Sequence, residues 1–301
     1  MSADDWLTTF VAARWLSYLA AFVVIGAVVF RWGVAPRLGR PTDPTLLHRA
    51  AVFGAGAAVL LVVAHVFKLQ QQLRSLLDPG DPITLETIDA LFRTAWGKGW
   101  IIQGVAALGS AAGLVAAALG VPAGFVLAGL GAAGLIGGAP LTGHAVALPE
   151  AGRIGPLLDA VHFGAGASWV GTLIVVLALI VGRDDRTAPT PKELIAAYSP
   201  IALVSGLLAI SMGLIMGYRY LGGVAPLFTP GYGRALLLKL ITLAGVAGLG
   251  FVNWRIVLPR LRRTGDSSGV RRTAAIEVGL GLLLLVATAI LVALPLPGEE
   301  H

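Results

Sequence analysis

Apolar residues run through this chain in stretches of about 20, and the short connections between them carry most of its charge. A helix of that length crosses roughly 30 Å of hydrocarbon while satisfying its own backbone groups. The pattern predicts eight spans, over about 8–30, 49–69, 99–119, 122–143, 157–181, 196–218, 235–254 and 273–294. The fold class expected is therefore all-α, a polytopic membrane helix bundle. Residues 1–301 form one transmembrane domain, with spans one to four in 1–145 and spans five to eight in 146–301. The longest connection, about 70–98, predicts a short amphipathic helix over 85–92. The sixth span is expected to open just after Pro200, because proline is tolerated in the first turn of a helix.

Composition agrees with the pattern. A soluble protein of this length carries about a quarter charged residues; here 13% are charged and 56% are hydrophobic. The 40 glycines suit close helix packing in lipid, where small residues let backbones approach. The net charge of +6 reads as a topology signal rather than as an affinity for nucleic acid. Arg31, Arg37, Arg40 and Arg49 follow span one. Arg183, Arg186 and Lys192 follow span five, and Arg255, Arg260, Arg262, Arg263, Arg271 and Arg272 follow span seven. These connections share one side, the cytoplasmic one. Asp4, Asp5, Asp78, Asp81, Glu86, Asp89, Glu150, Glu299 and Glu300 fall on the other side, so both termini are predicted outside. Asp4 and Asp5 also replace the basic start of a cleaved signal peptide. A multi-pass protein of a bacterial or archaeal plasma membrane follows, in contact with lipid.

Converting sequence position to depth at ~1.5 Å per residue makes the polar inventory lopsided. His65, His144, His162, Met212, Met216, Arg14, Gln103, Arg234 and Lys239 all fall toward the outer half. The inner half holds little beyond Glu277 and Asn253. A group that titrates near neutrality is costly inside a bilayer, so three histidines at one depth need a reason. Each has two readings. His65 either joins a site or bonds a neighbouring helix. His144 either binds a ligand or caps a helix end, and His162 either binds or packs with Trp169. Met212 and Met216, four residues apart, offer soft ligands or fill a core. Asp159 either orients the His162 ring or pairs with Arg14. Arg14, Arg234 and Lys239 either shape a cavity or snorkel to headgroups.

Imidazole and thioether donors favour copper, above all Cu(I), over magnesium or calcium. With no cysteine, thiolate ligation and disulfides are excluded. Haem b held between two histidines is the alternative cofactor. No nucleophile elbow, phosphate loop or HExxH is present, so no enzyme is predicted.

The second half resembles the copper resistance D (CopD) family of membrane proteins. The similar stretches are Thr142-Gly-His144-Ala, His162 through Trp169-Val-Gly171, Tyr198-Ser-Pro200, Tyr232-Gly-Arg234 with Lys239, and Asn253-Trp-Arg255. The resemblance runs from about 141 to 297, and the first four spans follow it in hydropathy and order. It implies an inner-membrane protein that handles copper on the periplasmic side, often beside a small periplasmic copper carrier. It carries His144 and His162 over as the family's histidines, and Arg234 and Lys239 as its basic pair. The expected function is copper binding at the periplasmic face for import or delivery. A haem b electron-transfer protein and a non-metal accessory or assembly subunit are the alternatives.

Overall fold

The computed structural model describes residues 3–39, 43–78, 80–143, 154–181, 189–229, 231–252, 255–256 and 268–294. Its helices are α1 (Ala3–Val29), α2 (Pro44–Arg74), α3 (Leu85–Arg93), α4 (Ala95–Ala118), α5 (Gly124–Gly138), α6 (Ile154–Gly166), α7 (Thr172–Ile180), α8 (Pro191–Leu221), α9 (Tyr232–Val252) and α10 (Ser268–Ala293). Among the described residues, eight helical segments are long and apolar enough to cross a membrane, and each overlaps a predicted span. The short helix α3 falls in the long connection where an amphipathic segment was expected.

Start signals set the helix ends. Asp43 caps α2, its side chain accepting from the Thr45 N–H at 2.8 Å, with Pro44 in the first turn. Thr190 and Glu193 form a reciprocal capping box that starts α8 at Pro191. This corrects the expected start of the sixth span: Pro200 lies inside the helix. Lipid-facing helices tolerate such a proline where neighbouring groups satisfy the freed backbone.

Helix α1 is the hub. It packs against α2 and α5 on one side and against α7, α10 and the turn Ala167–Gly171 on the other. Helices α2, α4 and α5 form one subgroup; α6 pairs with α8 and α9 with α10 in the second. Glycines set the close approaches. A Cβ on Gly171 would run into the Phe22 backbone, and one on Gly26 would run into Gly171. A Cβ on Gly113 would lie 2.5 Å from the Ala128 nitrogen, so α4 and α5 also touch backbone to backbone. The turn Ala167–Gly171 is a π-helical widening between α6 and α7. It turns Trp169 toward the interior of the second subgroup.

Candidate functional site

These polar side chains gather toward the end of the bundle where α1 begins and α10 ends, and they form two clusters. The larger surrounds a cavity of about 180 Å³ in the second subgroup. Asp159 and His162 of α6, Trp169, Met216 and Tyr220 of α8, Tyr232 and Lys239 of α9 line it, with Tyr18 and Phe22 of α1 as one wall. The deeper lining is apolar, including Leu243, Leu284 and Leu285.

His162 is fixed within this cavity. Its Nδ1 lies 2.7 Å from the Ala209 carbonyl oxygen of α8. A carbonyl only accepts, so Nδ1 carries the proton and Nε2 keeps its lone pair. This is the arrangement used by metal-binding histidines, one nitrogen anchored and the other free to ligate. The sequence offered Asp159 as the orienting group; the structure gives that part to Ala209. Asp159 and Lys239 line the same cavity within range of each other's charge. Met216 lines the cavity, whereas Met212, one turn before it, does not. Arg234 is exposed at the start of α9, outside the cavity. His144 lies outside the described residues; Gly143, which precedes it, lines the cavity.

The second cluster lies between α1, α2, α4 and the end of α5. His65 is 5% exposed, stacks on Trp100 with ring centroids 4.6 Å apart, and donates from Nε2 to the Trp100 carbonyl at 2.8 Å. Trp100 Nε1 donates back to the His65 carbonyl at 3.0 Å. Arg14 is buried here as well, donating to Thr142 and Gln72. His65 and His162 thus line different pockets, which share Tyr18 and Phe163. Among the described residues no three His, Cys, Asp or Glu side chains gather as a metal site. Nor do two described histidines line one cavity, the arrangement that haem b between two spans requires.

Sequence reasoning passed over Lys68, which is 4% exposed and bonded to Thr142 and Gln103. The available signal was its place three residues after His65, on the same helix face. Tyr220, likewise passed over, lines the cavity beside Tyr232 of the Tyr232-Gly-Arg234 stretch.

A multi-pass membrane bundle with a polar-lined cavity among α6, α8 and α9 is the class these features define. Residues 2–154 match the family profile described as Copper resistance protein D-like, N-terminal domain, and residues 192–291 match Copper resistance protein D. The chain belongs to the CopD family. It is 30% identical over 309 residues to the copper transport protein CutJ of Bacillus subtilis (strain 168), covering 99% of this chain and 55% of that relative. The chain therefore spans about half the length of that curated relative. No solved structure matches it.

Proposed function

We propose that this chain handles copper, binding it in the His162 cavity from the periplasmic side for import or delivery. The observation that carries the reading is the His162 ring, anchored through Nδ1 with Nε2 left as a donor in a cavity that also presents the Met216 thioether. Nitrogen and thioether donors suit copper in its softer state. Family membership and the similarity to a copper transport protein support the same cargo. Asp159 supplies a nearby negative charge for an arriving cation, and Lys239 tempers it. His144 joins as a second nitrogen donor on sequence grounds, since it follows Gly143 of the cavity wall.

Loop charge supports the outward orientation of this end, with an inner membrane as the setting and a small periplasmic copper carrier as the partner. The apolar depth of the cavity favours capture and hand-over at one face over free conduction. The experiment is copper accumulation in cells producing the wild type or His162→Ala at equal membrane levels. A lower copper content with the variant is expected; identical contents would remove His162 from the function.

A further inference from the structure

Arg14 and Lys68 are 5% and 4% exposed, and each sits in the other's field. Arg14 Nη1 donates to the Thr142 carbonyl at 3.4 Å and Nη2 to Gln72 Oε1 at 3.3 Å. Lys68 Nζ donates to Thr142 Oγ1 at 3.1 Å and to Gln103 Oε1 at 3.4 Å. Every one of these acceptors is a neutral oxygen. Charge-assisted bonds normally close to about 2.7–2.9 Å, so these are slack. Arg14 Nε is buried with no acceptor at all. Two cations buried side by side need a compensating negative charge, because Coulomb repulsion and desolvation act in the same direction.

Beside Lys68 lies a void of about 20 Å³, lined also by His65, Gln103, Ser17 and Tyr18. A void of ~10–15 Å³ already holds one water-sized particle. His65 Nε2 and the Ser17 hydroxyl are committed to the carbonyls of Trp100 and Ala13. Around the void, Lys68 keeps a third ammonium hydrogen, the Gln103 amide a second N–H beyond its bond to Thr142 Oγ1, and Tyr18 its hydroxyl. The lining carries the Lys68 ammonium, and the space is monatomic in size.

We propose that this void binds one small halide-class anion, chloride in practice, held by Lys68 with Tyr18 and Gln103. The anion offsets Arg14 and Lys68 immediately behind the Tyr18–Phe163 wall of the larger cavity. Their fields would otherwise reach that cavity and oppose any cation entering it. The site stands on its own geometry and holds whether or not the larger cavity takes copper.

The experiment uses the purified full chain in detergent at constant ionic strength, exchanging sodium gluconate for sodium chloride or bromide. A saturable rise in melting temperature with chloride and bromide is expected, with none from gluconate, which is too large for the void. Lys68→Met should abolish the rise, and Tyr18→Phe, which removes only a neutral donor, should weaken halide affinity several-fold. Should Lys68→Met not fold, chloride-35 line broadening of the wild type and of Tyr18→Phe decides the matter. Absence of any saturable halide response in the wild type, or a response that folded Lys68→Met retains or Tyr18→Phe leaves unchanged, overturns the assignment.

Discussion

Gly213 of α8 lies so close against the His162 ring that a Cβ built there would fall 2.8 Å from Cε1 and 3.1 Å from Nδ1. The glycine is what lets the imidazole reach the Ala209 carbonyl one turn earlier on the same helix. Gly213→Ala should therefore push the ring aside and weaken its anchoring bond. One hydrogen bond is worth about 1 kcal/mol, so copper affinity should fall roughly five- to tenfold. A Cu(I) competition titration against a chromophoric chelator reads this, and an unchanged affinity would mean the ring is not held for ligation.

The crossing of α1 with the π turn predicts a purely structural effect. Gly171→Ala would drive a methyl into the Phe22 backbone, which cannot step aside as a side chain can. Overpacking of this kind costs about 1–3 kcal/mol. The melting temperature in detergent should drop clearly for Gly171→Ala. It should stay put for Gly56→Ala, where nothing lies within 4 Å of the added atom.

His65 separates structure from function in the same way. Its ring bonds and stacks on Trp100, and its pocket is not the one that holds His162. His65→Leu removes the ring's bond to the Trp100 carbonyl and its stacking on the indole, and should destabilise by about 1–3 kcal/mol. Copper affinity measured on the folded fraction should match the wild type. A loss as large as that of His162→Ala would place His65 among the ligands.

How much of this was legible depended on whether the signal was local. The eight spans follow from apolar length alone, and the α3 segment from the spacing of Leu85, Ile88, Leu91 and Phe92. That His162 belongs to a polar cavity was also readable, from its depth and its motif with Trp169. Partners across helices were not. Lys68 looks like a span end in the sequence, and only Thr142 and Gln103, on two other spans, make it a buried cation. Met212 and Met216 share a stripe in projection, yet one turn along the axis leaves Met212 off the lining. Asp159 seemed the natural partner of His162 because it is near in sequence; the actual partner, Ala209, offers a backbone carbonyl that no side-chain pattern reveals. The start of α8 was written in Thr190 and Glu193, and the later Pro200 drew attention away from it.

The charges in the cavity predict opposite effects on an incoming cation. Asp159→Asn removes attraction and should lower Cu(I) affinity; Lys239→Met removes repulsion and should raise it. Each change should amount to about tenfold, corresponding to about 1.4 kcal/mol. Competition titrations of the two variants side by side measure both, and shifts of the same sign would show that the pair acts only by holding helices together.

The most direct measurement is Cu(I) titration of the purified full chain beside His162→Ala, Met216→Leu and Met212→Leu. The cavity as described predicts saturable copper binding that His162→Ala and Met216→Leu each weaken at least tenfold, while Met212→Leu leaves it unchanged. A wild-type chain that takes up no copper, or three variants that bind it as tightly as the wild type, would contradict copper capture at His162.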